Sequence, residues 1–165
     1  MTSLSPTVLE PCPPTIHLST SPDTLERCLR ARVAMAPGEV IATFGARSVL
    51  PEPSRMTIQV DVAAHIELEP TWLRFLDHSC APNVAVDVVR GEVVVVSPIA
   101  PGEALAYFYP STEWAMAEPF VCRCRAPACL GIVAGASQLE PERLSGHALA
   151  PHVRMRLPST TRAAV

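Results

Sequence analysis

Lysine is absent from this 165-residue chain, and all 13 of its basic residues are arginine. We read that absence as biased codon usage. Asparagine occurs once, at Asn83, and tyrosine twice, at Tyr107 and Tyr109. Aromatic residues make up only 5% of the chain. Sixteen acidic residues leave a net charge of −3, which excludes a strongly basic nucleic-acid-binding surface, so no direct nucleic-acid binding is expected. No window approaches the ~18 uninterrupted apolar residues of a membrane-spanning helix, and no membrane partner is expected. Residues 1–14 lack the basic start and apolar stretch of a secretory signal, which makes a cytoplasmic location the expectation.

With 48% apolar residues, the chain can bury the core of one domain. Its 18 prolines are about twice average usage and are scattered, so they read as punctuation between short elements. Pro6, Pro11, Pro13 and Pro14 mark residues 1–14 as a loose tail. Short Val-, Ile- and Thr-rich runs predict strands at Thr15–Ser19, Cys28–Val33, Val40–Phe44 and Met56–Leu68. Pro37-Gly38 separates the second from the third. Thr71 is placed to cap a helical turn carrying Trp72, Leu73 and Leu76. Val84–Val89 and Glu92–Ser97 flank Arg90-Gly91 as a hairpin, and Pro101-Gly102 turns the chain into a strand at Ala104–Phe108. Leu139, Leu144, Leu149, Val153 and Leu157 suggest a C-terminal helix interrupted by Pro151. The class is mainly β with a helical appendix.

Six cysteines in this setting point to a metal site or plain thiols more than to disulfides. Cys122, Cys124 and Cys129 form a C-x-C-x4-C run in which a local turn can aim three thiolates at one metal. Zinc wants four tetrahedral ligands; Cys80, Cys12 and Cys28 are the candidates for the fourth. Asp77-His78-Ser79-Cys80-Ala81-Pro82-Asn83 concentrates polar chemistry between an apolar turn and an apolar hairpin. It is no hydrolytic triad, because neighbouring side chains of an extended chain point to opposite faces. Tyr107 and Tyr109, at i and i+2, would share one face of a strand, where two phenols can line a narrow channel.

The order of these pieces resembles the SET-domain lysine methyltransferases, in a compact bacterial form. Those carry Asn-His-Ser-Cys-x-Pro-Asn, Gly-Glu-Glu-Leu-x-x-x-Tyr and a post-SET Cys-x-Cys-x4-Cys. This chain has residues 77–83, Gly102 to Tyr109, and Cys122, Cys124 and Cys129, with Ala36-Pro37-Gly38-Glu39-Val40-Ile41 similar to an upstream turn and strand. The resemblance spans roughly Thr24 to Gly135. It implies several small β-sheets around a pseudoknot, with a SET domain over 15–116, a zinc-bound post-SET segment over 117–135, and a short C-terminal helix and tail over 136–165. It also implies S-adenosylmethionine as cofactor and, as acceptor, a lysine of a protein or peptide. Cys80 would complete a structural Zn2+ site with Cys122, Cys124 and Cys129. Tyr109 and Tyr107 would be the catalytic tyrosines. Asp77, His78, Glu26, Cys28 and Tyr109 would face the cofactor, and Tyr107, Trp114 and Phe120 the substrate channel.

Three positions depart from the family pattern. Glu26-Arg27-Cys28 stands where the family has Gly-x-Gly, Asp77 replaces an asparagine that helps hold the cofactor, and Phe108 replaces a polar residue. Two acidic side chains near a carboxylate-bearing cofactor weaken binding through like-charge repulsion. Two alternatives therefore stand beside methylation of a protein lysine. One is a zinc-stabilised scaffold that binds or regulates without methyl transfer, and the other is an enzyme acting on a small amine or metabolite. His17, His65, His147 and His152 lack a second ligand at metal spacing and read as core or surface residues.

Overall fold

The apolar runs fold as short strands because few exceed five residues before proline or glycine intervenes. In the computed structural model, residues 10–21 and 25–158 are described. The first strands are β1 (Ile16–Thr20), β2 (Arg27–Ala31), β3 (Val40–Thr43), β4 (Gly45–Leu50), β5 (Thr57–Asp61) and β6 (Ala64–Glu69). There follow β7 (Asp77–His78), β8 (Val84–Asp87), β9 (Glu92–Val95), β10 (Ala106–Tyr107), β11 (Phe120–Val121) and β12 (Ile132–Val133). They assemble as five small sheets: β1-β2, β4-β6-β5, β3-β9-β8, β7-β10 and β11-β12. All pairings are antiparallel except β7 with β10.

Leu29, Leu73, Val84, Val93, Val95 and Leu105 form the centre of the main core, each at most 1% exposed. Burying a side chain of this kind contributes about 1.5–3 kcal/mol. A second core joins Phe108 to Ala136, Leu144, Ala150 and Val153 and so fastens the C-terminal part to the body. The β8-β9 hairpin turns as expected, and Gly91 at φ +67° is required there, since a Cβ would lie 2.6 Å from the Phe44 carbonyl oxygen.

Several local expectations change. Met56–Leu68 is two strands, β5 and β6, reversing at residues 62–63; the Asp61 carboxylate accepts the Val62 N–H at 2.7 Å, a turn made without proline or glycine. Strand β4 went unpredicted because its exposed, arginine-bearing sequence shows no alternation; pairing to β6 makes it a strand. Thr71 does not cap. It is buried at the start of a 3-10 turn, Thr71–Phe75, its N–H donating to Glu10 at 3.2 Å. Residues 10–14 lie against Ile16, His17 and Trp72 around a surface hollow, and Cys12 packs on the main core; residues 1–9 lie outside the described residues. The strand expected over Ala104–Phe108 shortens to β10. The C-terminal helix is two four-residue helices, α1 (Pro141–Leu144) and α2 (Pro151–Arg154), and Pro151 starts the second instead of breaking one.

Candidate functional site

The parallel pair β7-β10 is the frame of the site. Asp77 lies beside Ala106 and His78 beside Tyr107, with Asp77 N–H donating to Leu105 O and Ser79 N–H to Tyr107 O, both at 3.1 Å. Asn83 locks this register. Its Nδ2 donates to Ala104 O at 2.8 Å, while its Oδ1 accepts from Ala106 N–H at 2.9 Å. One amide thus satisfies an acceptor and a donor of the facing strand, a match that a carboxylate lacks. The loop 77–83 is thereby stitched to residues 104–107 although a whole hairpin separates them in sequence.

A cleft of about 1090 Å³ opens along this frame. Asp77, His78, Tyr107 and Tyr109 line it, together with Glu26, Arg27 and Arg30 from β2 and its approach, Gln59's neighbour Ile58, and Glu113, Phe120, Cys122 and Cys124. The Tyr107 and Tyr109 ring centroids are 4.7 Å apart. Tyr109 lies not on the strand but at the start of a 3-10 turn, Tyr109–Ser111, and its hydroxyl donates to Leu76 O at 2.7 Å. Burial, reinforced by the carboxylates of Asp77, Glu26 and Glu113, pushes the Tyr109 phenol well above its ordinary range, and burial does the same to Tyr107. Both are therefore neutral phenols at physiological pH.

The acidic groups respond likewise. Burial, with the Glu26 charge adding to it and Arg30 opposing it, pushes Asp77 up to about 6. Burial pushes Glu113 up to about 7, although Gln59 N–H and the Thr112 hydroxyl both donate to its Oε1, at 2.8 and 3.1 Å. His78 moves down to about 4, through burial and then His147, and is neutral. Tyr109 N–H donates to its Nδ1 at 3.3 Å, which assigns the proton to Nε2, and Nε2 faces Cys80 Sγ at 3.3 Å.

At one edge of the cleft, the β11-β12 hairpin brings Cys122, Cys124 and Cys129 to Cys80, with all four sulfurs within 4.8 Å of one another. Cys122 N–H donates to Gly131 O, and Arg125 at φ +58° turns the chain between the second and third of the trio. Sulfurs about 2.3 Å from a tetrahedral zinc lie about 3.8 Å apart. The Cys80–Cys122 separation is 3.8 Å. Leu130 N–H points at Cys80 Sγ at 3.3 Å, and Gly131 N–H at Cys129 Sγ at 3.5 Å, a setting suited to thiolates. The four cysteines fit zinc, and nothing in the set suits a harder, oxygen-seeking cation.

Not every expected residue reaches the cleft. Cys28 is fully buried in β2 and lines none of it; Arg30, two residues on and on the same face of the strand, lines the cleft instead. Trp114 does not line it either; its ring lies under the Arg156 guanidinium and packs on the second core. Glu26, Asp77, His78, Tyr107, Tyr109 and Phe120 all do. Glu113 lines the cleft although no motif marks it, and Gln59 holds it there. The signal for Glu113 was a lone acid between Tyr109 and Trp114 in an otherwise uncharged stretch.

The family model for the SET domain matches residues 26–110. The methyltransferase flvH of Aspergillus flavus is 32% identical over 157 residues, covering 93% of this chain and 88% of its own. The histone-lysine N-methyltransferase ash1 of Drosophila melanogaster is 34% identical over 71 residues, which are 39% of this chain and 3% of that protein. Among solved structures, KRYPTONITE in complex with mCHG DNA and SAH aligns with a TM-score of 0.55 at 19% identity, over 71% of this chain and 28% of that one. Its complex with mCHH DNA, an H3(1-15) peptide and SAH gives 0.54 at 20% identity, over 71% and 29%. These structural likenesses show the fold.

Proposed function

This chain belongs to the SET-domain family, and from that premise we propose that it transfers a methyl group from S-adenosylmethionine to the side-chain amine of a lysine in a protein or peptide. The observation that carries the proposal is the pair of neutral phenols, 4.7 Å apart, set in one cleft between the His78 strand and the cysteine-bearing hairpin. The cleft is ample for a nucleoside, an amino-acid tail and an alkyl chain. Its Glu26 carboxylate and its Arg27 and Arg30 guanidiniums present both charges to a zwitterionic tail.

When bound, S-adenosylmethionine supplies a sulfonium methyl group open to in-line displacement by a neutral amine. The chain's residues supply position and dryness. Tyr107 and Tyr109 wall the acceptor's path with apolar faces. The Tyr109 hydroxyl, held by Leu76 O, leaves its oxygen lone pairs as the polar feature of that wall. Orientation and desolvation of this kind account for most of the rate enhancement, and no covalent nucleophile is needed. Cys80, Cys122, Cys124 and Cys129 would hold a structural zinc that fixes the hairpin over the cleft and takes no part in the reaction.

The test is methyl transfer from radiolabelled S-adenosylmethionine by zinc-loaded protein, with lysine-containing peptides and free alkylamines offered in parallel. Label on peptide lysines supports the proposal. Label only on free amines would assign a small-molecule acceptor, and no label on any acceptor would leave a binding scaffold. Tyr109→Phe should lower turnover by about a hundredfold. Its unfolding free energy should fall only by the loss of one hydrogen bond, about 1 kcal/mol.

A further inference from the structure

Glu113 is a buried carboxylate that the fold does not explain. It is 6% exposed, lies three residues beyond the matched family span, and lines the cleft beside Tyr107 and Tyr109. Its backbone is fixed from both sides, Glu113 N–H donating to Tyr109 O at 2.9 Å and Ala136 N–H donating to Glu113 O at 2.8 Å. The side chain is fixed as well. Gln59 N–H and Thr112 Oγ1 both donate to Oε1, and the Gln59 side chain is held in turn by Trp114 N–H on its own Oε1 at 2.9 Å.

Those bonds use one oxygen, and the amide oxygen of a neutral glutamine could accept both as well, though less strongly. The negative charge and the second oxygen are therefore surplus to folding. Among the described residues no arginine or histidine pairs with Glu113, although a buried carboxylate without a counter-charge is destabilising by several kcal/mol. The titratable side chains its charge bears on, Tyr107 and Tyr109, are neutral phenols. What such a site lacks is a cation that enters from the cleft.

Resting on the amine-acceptor reading above, we propose that Glu113 is the acceptor-binding carboxylate, receiving the substrate's ammonium group on Oε2 at the wall formed with Tyr107 and Tyr109. The site selects a primary alkylammonium. The carboxylate provides a charge-assisted hydrogen bond, and the two aromatic faces favour a cation over a neutral group of the same shape. The upward displacement of Glu113 to about 7 has the same origin, a carboxylate buried without its cation. An arriving ammonium would draw it back to the charged form. The amine can then give its proton to that carboxylate, breaking N–H and forming O–H, which leaves two neutral groups and a free lone pair on nitrogen.

The experiment measures binding of n-butylamine, a stand-in for the lysine side chain, to zinc-loaded protein by calorimetry, with no methyl donor present. Wild type and Glu113→Asp should bind it. Glu113→Gln, which preserves both bonds to Oε1, should bind it roughly ten- to a hundredfold more weakly while melting at or above the wild-type temperature. Equal affinity of wild type and Glu113→Gln, or no binding by wild type, would overturn the proposal. The outcome is separable from that of the methyl-transfer assay. Amine binding that depends on Glu113 in a protein that transfers no methyl group upholds this site and rejects the proposed activity. Methyl transfer that Glu113→Gln leaves unchanged in KM does the reverse. If Glu113→Gln melts well below wild type, the affinity of Glu113→Asp decides: retained binding supports the role of the charge, and loss of binding with an intact fold contradicts it.

Discussion

Under the proposed function, Asp77 is the residue on which cofactor affinity would turn. The sequence shows an acid where the family has an amide, and the structure adds that this acid is held near neutrality, at about 6, by burial and by Glu26. The charged groups facing it are Glu26, which disfavours its charge, and Arg30, which favours it, with the neutral Tyr109 phenol and the buried Cys28 nearby. Its protonated form meets a cofactor carboxylate without repulsion. Affinity for S-adenosylmethionine should therefore rise by up to about tenfold as the pH falls from 8 to 5, with the midpoint near 6. Asp77→Asn should bind more tightly at pH 8 and flatten the profile; calorimetry at several pH values checks both. At this scale, residues carrying their own motif were legible, as His78, Cys80 and Tyr109 show. Cys28 was placed by alignment with the family's Gly-x-Gly and Trp114 by its nearness to Tyr109; full burial in β2 and second-core packing keep them from the cleft. Glu113 is held at the cleft by Gln59, 54 residues away in sequence, a contact that no local pattern displays.

Among the elements, the cysteine hairpin is the one that depends on something outside its own hydrogen bonds. Strands β11 and β12 are two residues each, and Phe120, Val121 and Ile132 are exposed, so the hairpin has little apolar burial of its own. Arg143 of α1 donates to Ala128 O and Cys129 O at 3.1 Å and adds only an exposed tie. Zinc binding is therefore expected to supply most of its stability. Purified protein should contain one zinc per chain by atomic emission. Cys124→Ser, or a strong chelator, should remove it, lower the melting temperature and lose turnover together. Where the hairpin rejoins the body, Gly135 adopts φ +107°, ψ 169°, and a Cβ there would lie 2.6 Å from Trp114 O. Gly135→Ala should destabilise the protein by about 2 kcal/mol or more, measured by denaturant unfolding. The strands with strong alternation and flanking turns were readable in advance. Exposed β4 and the divided C-terminal helix were not, because pairing with a neighbour and the docking of Ala150 and Val153 on Phe108 decide them.

At the scale of the molecule, three motifs far apart in sequence converge because β7 and β10 run parallel and adjacent. Parallel neighbours require an intervening crossover, here the β8-β9 hairpin, and the asparagine at its start seals the join. The sequence showed that the motifs were present and in order. That the phenols, the histidine loop and the sulfur cluster border one cleft was implied by the family resemblance and not by spacing, since it follows from strand pairing across the whole chain. The central claim is that this cleft holds a sulfonium methyl donor beside the tyrosine pair. Calorimetric titration of S-adenosylmethionine into zinc-loaded protein at pH 6 tests it most directly. One saturable site per chain, weakened when Cys124→Ser releases the hairpin, is the predicted result. No heat of binding at ~1 mM ligand, where even weak binders register, would contradict the account.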